Sequence, residues 1–541
     1  MPSLGYGCLV LALAVSLYTA AAFWLEARGR QFPAIFRART ALFVAVGLVS
    51  VSVAVLLYAI FAHDFQFEYV ASYTSLHTSA LYLLSALWAG NSGSLLFWTW
   101  LLSIFSLLVV WRKQRQYPAL LPYAASIMLA VQAFFLILLV AVINPFNAAS
   151  PVPSDGIGLN PMLQNPGMVF HPPALYAGYV GFTVPFAFAI AALLTRRLND
   201  EWLQASRRWM LFAWLLLGVG NIIGAWWAYV ELGWGGYWAW DPVENVGLMP
   251  WLLATALLHS SVMQRRKSTF KVWNLVLIIL VFNMVIFGTF LTRSTILSSV
   301  HTFNESGLEP YFLTFIAISL IGGLGLLYYR SSDLKSSGGS EALISRDAAF
   351  MLNNLIFLGT TALIFIGTLF PLFSEAVGGS KVSLSTSFFN QVNSPLFMVI
   401  ILLAGVCTLI GWRQLTLSQL LKEMAWPLAA AVVLSVALGL MAVKQPVALV
   451  AFSVCIFVLI SILATWFKET LARRRSCGNN VAAAGWNLAR SNSQRLGGYT
   501  VHTGIILIAV GVIGSSFFGA QKEANLKVGD SITVGQYAVT Y

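Results

Sequence analysis

Six histidines are the residues of this sequence best suited to bind a metal, and four of them form two pairs. His259, in PWLLATALLHSSVMQRRK, stands six residues before Arg265, and His502, in QRLGGYTVHTGIIL, stands seven after Arg495. At the helical rise per residue, both lie about 10 Å inside the basic ends of their predicted helices. Neutral imidazole is a standard axial ligand of haem iron. The matching depth therefore predicts a bis-histidine b-type haem.

The alternative for these two histidines is a structural role. Each imidazole could hydrogen-bond a neighbouring carbonyl, or Ser260 in the case of His259. Burying an ionisable residue in a membrane span, however, costs free energy that simple packing does not require. Zinc would need further ligands, and no Cys, Asp or Glu stands near that depth in the sequence.

The second pair is predicted at the opposite, outer surface. His171 lies in LQNPGMVFHPPALYAGYVG, where Pro172 and Pro173 fit the first turn of a helix and would place His171 at its outer mouth. His301, in LTRSTILSSVHTF, follows Arg293 by eight residues in a loop. We expect both histidines to flank the stretch between them, WGGYWAWDPVEN.

This stretch belongs to the tryptophan loop, defined here as residues 226–246. A haem needs aromatic faces, two axial ligands and cationic partners for its propionates. His171 and His301 are candidate ligands and Arg293 a candidate propionate partner. The candidate haem-binding residues of the loop itself are Trp234, Gly235, Tyr237, Trp238, Trp240, Asp241, Glu244 and Asn245.

Two carboxylates in the loop are expected to orient it. Asp241 and Glu244 fit a helix cap, with Pro242 in the first turn. The alternative for the aromatic residues is an interfacial belt, because Trp and Tyr are enriched at every membrane surface and the chain has 19 tryptophans.

The elements that must position these residues are membrane-spanning helices. The 541 residues are 59% hydrophobic and 9% charged, whereas about a quarter of the residues in soluble domains are charged. Apolar runs of helical spanning length predict an all-α polytopic bundle and not a barrel. Fourteen spans are predicted, at 3–25, 40–62, 94–111, 119–143, 173–194, 209–229, 246–263, 272–291, 311–329, 350–373, 395–411, 425–443, 446–466 and 498–518.

Charge predicts the orientation of the bundle. With the N-terminus outside, 26 of the 31 Lys and Arg residues fall on inner loops. The net charge of +12 is then explained by anchors facing anionic lipid, and nucleic acid is not an expected partner. The first span has no preceding basic region or A-x-A pattern and is interpreted as a retained helix. The outer basic residues are Arg293, Lys381, Lys444, Lys522 and Lys527.

The predicted organisation has four parts. An N-terminal bundle, residues 1–330, carries the tryptophan loop, and a Ser/Gly-rich inner linker, 331–349, leads to a C-terminal bundle, 350–518. The outer tail, 519–541, alternates apolar and polar residues around Gly turns and is expected to form short strands, either truncated or as a small β element. Residues 65–93 are expected to lie along the outer surface or to pack on neighbouring helices.

The four cysteines include no CxxC and no CxxCH motif. A redox dithiol and covalent c-type haem in this chain are therefore not expected, and any cofactor would be held non-covalently.

Four separated blocks resemble a known family. WGGYWAWDPVEN resembles the WWD signature of the haem-handling proteins of cytochrome c maturation. LQNPGMVFHPPALYAGYVG, RSTILSSVHTF and GGYTVHTG resemble further blocks of the CcmF-type haem lyases and their NrfE-like relatives. The resemblance covers most of residues 1–518, including WAGNSGSLLFW, whereas the smaller CcmC and CcsA types have far fewer spans.

The resemblance implies a cytochrome c-type biogenesis protein, a haem lyase component of the bacterial inner membrane with a periplasmic active face. It implies transient haem, received from the chaperone CcmE, as substrate, and attachment to the CxxCH motif of apocytochrome c together with CcmH/CcmI-type subunits. His171 and His301 would ligate the incoming haem as catalytic residues. His259 and His502 would ligate a resident haem b that passes electrons to it, with quinol as a candidate donor.

Two other classes of function remain open at this stage. A haem or anion transporter would be expected to show internal repeats with broken helices, and none is recognisable by eye. A quinol:cytochrome oxidoreductase would favour a second intramembrane histidine pair. His63 and His77 are interpreted as structural.

Overall fold

The computed structural model describes residues 1–30, 37–113, 116–303, 307–334, 345–410, 416–477, 480–520 and 522–541. The chain divides into two compact units. The first comprises Met1–Gly339 and Phe357–Thr386, and the second Ser340–Ile356 and Ser387–Tyr541. Residues 335–344 of the predicted linker lie outside the described residues, so the linker and the expected division at 331–349 stay predictions.

Helices α1 to α12 lie in the first unit, which also contains most of α13. Their bounds are α1 Pro2–Ala27, α2 Ala38–Phe61, α3 Glu68–Tyr73, α4 Ala80–Ala89, α5 Asn91–Lys113, α6 Leu121–Ala141, α7 Pro166–Gly181, α8 Thr183–Thr195, α9 Glu201–Glu231, α10 Pro242–Lys267, α11 Lys271–Thr292, α12 Glu309–Tyr329 and α13 Arg346–Gly378. Two short 3-10 helices, Pro161–Leu163 and Ser331–Leu334, complete this set.

The second unit holds the remaining elements. They are α14 Thr386–Ile410, α15 Leu417–Met441, α16 Pro446–Cys477, α17 Val481–Ser491, α18 Ser493–Phe518 and strands β1 Ser531–Val534 and β2 Tyr537–Thr540. The first residue of α14, Thr386, belongs to the first unit. The two strands pair antiparallel, with Ile532 opposite Val539. This hairpin confirms the strands predicted for the tail.

The predicted membrane fold is confirmed. Among the described residues, fourteen helices are long and apolar enough to cross a membrane, one for each predicted span. Several continue up to ten residues beyond the prediction, as α16 does, because a helix extends past the apolar stretch into polar turns. The prediction that the N-terminus lies outside rests on the charge distribution.

Residues 65–93 pack against neighbouring helices, which was one of the two expectations, and Trp88 Nε1 donates to a carbonyl oxygen of α7 at 3.2 Å. Within the segment, Phe67 is fully buried, and the Tyr69 hydroxyl donates to the carbonyl oxygens of Ala86 at 2.8 Å and Leu87 at 3.0 Å. Tyr69 thereby holds α3 against the end of α4.

The start of α7 differs from the prediction. Asn165 caps this helix by accepting from Gly167 N at 2.7 Å, and the helix begins at Pro166. The expectation that Pro172 opens the helix was wrong, because an earlier Asn-Pro pair supplies the cap and first turn. His171 therefore lies in the second turn and not at the mouth.

Two prolines lie inside helices, and each leaves the carbonyl oxygen four residues earlier without its backbone N–H donor. In both cases a side chain donates to that oxygen instead. Pro172 cannot donate to Met168 O, and Trp88 Nε1 donates to that oxygen at 3.2 Å. Pro250 of α10 likewise frees Val246 O, to which the Tyr179 hydroxyl donates at 3.2 Å. These bonds tie α4 to α7 and α7 to α10, since a buried carbonyl in a membrane needs an internal donor.

Tyr179→Phe removes the donor to the buried Val246 carbonyl. We expect the free energy of unfolding in detergent to fall by about 1 kcal/mol, the scale of an interhelical hydrogen bond in membrane proteins. The control is Tyr58→Phe, because Tyr58 is 61% exposed. An equal loss in both variants, measured by reversible unfolding, would contradict the assigned role of Tyr179.

Candidate functional site

The tryptophan loop connects the end of α9 to the start of α10 and turns through left-handed backbone conformations. Gly233 and Gly235 have φ of +63° and +69°, and Trp240 has φ of +58°. Glycine adopts this region at little cost, whereas a bulky residue there is strained. The four aromatic candidates of the loop are half-buried, namely Trp234, Tyr237, Trp238 and Trp240.

The carboxylates of the loop form the predicted cap of α10. Asp241 accepts from Val243 N at 3.0 Å. Glu244 reaches back and accepts from the backbone N–H groups of Ala239 at 3.0 Å and Asp241 at 3.1 Å. This capping box anchors the last residues of the loop to the helix.

Polar side chains hold the strained Trp240 backbone in place. The buried Asn245 amide donates to Trp240 O at 2.9 Å and to Thr368 Oγ1 of α13 at 3.0 Å. Thr386 Oγ1 donates to Ala239 O at 3.1 Å. The loop conformation is thus set by residues more than 120 positions away as well as by its own helix.

Asp241 also binds the loop that carries His301. Its Oδ2 atom accepts from Ser299 Oγ at 2.6 Å and lies 3.1 Å from His301 Nδ1. Ser299 Oγ in turn accepts from His301 N at 3.0 Å. A carboxylate accepts, so Nδ1 is the donor of this bond, and in the neutral imidazole Nε2 carries the lone pair. This is the arrangement commonly found behind metal-ligating histidines.

Aromatic rings surround His301. The ring centroids of Trp227 and Trp234 lie 5.4 and 6.0 Å from that of His301, both edge-on. Trp238 and Trp240 meet edge to face at 6.0 Å. Trp227 is buried, and its Nε1 donates to Met162 O at 3.0 Å.

His171 lies in a notch on α9 made by Gly224. Its Nδ1 donates to Gly220 O at 2.8 Å, and a Cβ atom added at Gly224 would lie 2.4 Å from its Cε1. A carbonyl only accepts, so Nε2 again carries the lone pair. Trp227, one turn beyond Gly224 on the same helix, contacts His301. The structure therefore brings both predicted outer histidines to α9.

Arg293 lies in a buried setting. Arg293 is 1% exposed, and its guanidinium donates to Ser94 Oγ at 2.7 Å and to Thr289 O at 3.3 Å. Its guanidinium also lies over the ring of Phe303, 5.4 Å from the centroid. Arg293 therefore braces the start of the His301 loop against α5, and its role as a propionate partner stays a prediction.

The predicted inner pair is divided between the two units. His259, on α10 in the first unit, donates through Nδ1 to Thr255 O at 2.9 Å. Its ring is nearly parallel to that of Phe357, with 6.4 Å between centroids. His502 is half-buried on α18 in the second unit. Their pairing stays a prediction.

Several residues that shape the site escaped the sequence analysis. Gly220 and Gly224 stand four apart in GNIIG, a small-xxx-small pattern that marks close helix packing in membranes. That pattern could have predicted the α7–α9 contact. The roles of Trp227 and Ser299 had no such signal, because both depend on side chains distant in sequence.

Comparisons with known proteins agree with this fold. A family profile described as Cytochrome C assembly protein matches residues 88–298. The Pseudomonas aeruginosa "Cytochrome c-type biogenesis protein CcmF" is 37% identical over 99% of this chain and 81% of its own length. The Escherichia coli protein of the same name is 34% identical over 100% and 82%. The solved structure "Cytochrome c Heme Lyase CcmF" has a TM-score of 0.76 and 30% identity, covering 99% and 80% of the two chains.

The fold and the matched segment define a multi-pass membrane protein of the cytochrome c assembly class. The chain belongs to the CcmF family of cytochrome c-type biogenesis proteins, as the full-length similarity to the bacterial relatives demonstrates. The profile includes His171, the tryptophan loop and His259, and it ends three residues before His301.

A double-mutant cycle tests the contact between Asp241 and His301. We expect Asp241→Ala and His301→Ala to be coupled by roughly 0.5–3 kcal/mol in the free energy of unfolding, as contacting residues usually are. Both side chains are mostly buried, at 11% and 14% exposure. The control cycle pairs Asp241→Ala with Arg28→Ala, where the coupling should stay within about 0.5 kcal/mol. Equal coupling in the two cycles would contradict the direct contact.

Proposed function

We propose that this chain is the haem lyase component of a cytochrome c maturation system. It binds haem at the tryptophan loop and promotes thioether attachment of that haem to the CxxCH motif of apocytochrome c. The observation that carries the proposal is that α9 contacts both outer histidines, His171 through Gly220 O and His301 through the ring of Trp227, with Nδ1 of each imidazole held by an acceptor.

The two outer histidines have the chemistry of axial ligands. Gly220 O and Asp241 Oδ2 fix the ring orientations and leave the lone pairs on Nε2. His171 and His301 are the proposed catalytic ligands of the substrate haem. The aromatic residues of the loop supply apolar faces for the macrocycle, and Arg293 is the proposed propionate partner.

Thioether formation places limited demands on the protein. Each bond forms when a cysteine S–H adds across a haem vinyl group, with sulfur joining the inner carbon and hydrogen the outer carbon. The addition consumes no oxidant, but it requires ferrous haem and reduced thiols. The chain holds the porphyrin, excludes water and positions the vinyl groups, so no acid–base dyad is required.

His259 and His502 are the proposed ligands of a resident haem b. The bond from His259 Nδ1 to Thr255 O and the apolar ring of Phe357 fit an axial histidine in a membrane slot. When bound, such a haem supplies a one-electron reductant. A structural role for the two residues is the competing assignment and is decided by the spectra below.

The family relationship supports the proposed setting. We propose CcmE as the haem donor, CcmH/CcmI-type subunits and apocytochrome c as partners, and quinol as the electron source. The bacterial inner membrane, with the site facing the periplasm, is the proposed location. The distribution of basic residues supports it, because 26 of 31 are predicted on the opposite side.

The test begins with absorption spectra of the purified protein, oxidised and dithionite-reduced. We expect a b-type reduced spectrum that His259→Ala or His502→Ala abolishes, because each removes an axial ligand. His301→Ala should retain that spectrum and lose cytochrome c maturation in a complementation assay. The control is His77→Ala, an exposed residue expected to retain both properties.

Other outcomes distinguish the assignments. Loss of the resident haem in His301→Ala would contradict two separate sites. A folded protein without haem signal, whose maturation activity survives His301→Ala, would contradict the lyase function and favour haem transport.

Gly224→Leu tests the notch that holds His171. The added side chain would occupy the position of the imidazole, so we expect roughly 10–100-fold weaker binding of added haem. The resident b-type spectrum should be unchanged. Gly322→Leu on α12 is the matched control, because a Cβ atom there meets nothing within 4 Å. Unchanged affinity in Gly224→Leu, measured by haem titration, would count against His171 as a ligand.

A further inference from the structure

The predicted inner side of the second unit carries a cluster of arginines outside the site described above. Residues 468–495 contain six basic residues and one carboxylate, Glu469. Arg473 donates to Ser491 Oγ at 2.9 Å and so joins the end of α16 to the end of α17. This contact brings the neighbouring Arg474, Arg475 and Arg490 into one region, and all three are exposed.

The other basic residues near this cluster have carboxylate partners. Lys468 forms a salt bridge with Glu423, and Arg495 forms one with Glu469. Arg473 keeps its positive charge as well, because the Ser491 hydroxyl that it bonds is neutral. The charge that an outside ligand would meet is therefore that of Arg473 and the three exposed arginines. Such a ligand must be anionic.

An apolar groove lies between α16 and α18 beside this cluster. Its volume is about 420 Å³, and it is lined by Ile462, Leu463, Trp466, Leu496, Tyr499, Thr500, Thr503, Gly504 and Leu507. Trp466 and Tyr499 meet edge to face at 6.1 Å at the end nearest the arginines. Aromatic residues favour this depth, where the hydrocarbon meets the headgroups.

The length of the groove matches one leaflet of a bilayer. From Leu496 to Leu507 the helix rises about 16 Å, and half of the hydrocarbon core is about 15 Å. Helix α17 is amphipathic, with Ala484 and Leu488 buried and Trp486 72% exposed. Such a helix fits a position along the membrane surface beyond the groove. An extended acyl chain would fill the groove, and its headgroup would reach the arginines.

We propose that this groove binds one anionic phospholipid of the inner leaflet. The acyl chain lies between α16 and α18, and the headgroup phosphate is bound by Arg474, Arg475 and Arg490. This site is independent of the haem chemistry and would hold the second unit at a defined depth in the membrane.

The test uses the full chain in nanodiscs containing equal amounts of phosphatidylglycerol and phosphatidylcholine. Retained lipid is counted by native mass spectrometry, and phosphatidylglycerol with a photoactivatable acyl chain maps the position. We expect phosphatidylglycerol to be enriched and cross-linked to α16 and α18. The triple variant Arg474→Gln, Arg475→Gln and Arg490→Gln should abolish the enrichment. Each substitution is expected to weaken the binding of the anionic lipid by roughly fivefold. The corresponding Lys triple variant, which keeps the charge, should retain it.

A second variant tests the groove itself. A Cβ atom at Gly504 meets nothing within 4 Å, so Gly504→Phe fills the groove without a clash and should remove the cross-link. Gly511→Phe is the matched control, equally open but outside the lining. The proposal is overturned if the wild type shows no preference for phosphatidylglycerol, if the Gln triple variant keeps it, or if both phenylalanine variants cross-link equally.

Discussion

The site depends on one carboxylate oxygen. Asp241 Oδ2 receives the first free N–H of α10, the Ser299 hydroxyl and the His301 imidazole. A helix start, a loop from the next helical hairpin and a candidate haem ligand are therefore joined at one atom. In a mostly buried setting, each of the three donors compensates part of the carboxylate's negative charge. The loss of one donor therefore leaves the Asp241 carboxylate less well compensated. The position of His301 and the shape of the tryptophan loop are consequently linked.

Close helix packing supplies the second histidine. Gly224 lets α9 accept the ring of His171, Gly220 lets it approach Leu175, and Gly178 of α7 would clash with Leu217 if it carried a Cβ atom. Proline residues in α7 and α10 each leave a carbonyl oxygen without a backbone donor, and the side chains of Trp88 and Tyr179 donate hydrogen bonds to these oxygens. The same features that let these helices approach each other also provide hydrogen bonds that hold the site rigid. Rigid ligands suit a reaction in which the protein mainly contributes position.

The buried Arg293 extends this framework below the site. It joins the end of α11 to Ser94 on α5 and lies under Phe303, two residues beyond His301. The strained backbone of Trp240 is held from the other side by Asn245 and Thr386 contacts. Such strain persists where its surroundings over-determine it, as they do here. Both loops of the site are thus braced by contacts to the helices around them.

The sequence by itself determined the fourteen spans, the capping box at Asp241 and Glu244, and the terminal strands, because hydropathy, capping and alternation are local properties of the chain. It also marked His171 and His301 as candidates. It misjudged the start of α7, where two prolines were preferred to the earlier Asn165-Pro166 pair. Only the tertiary structure decided that Asp241 orients His301, that His171 bonds Gly220 O on α9, and that Arg293 is buried. These contacts join residues about 50 to 200 positions apart, and no local pattern encodes them, because they arise only when the helices pack.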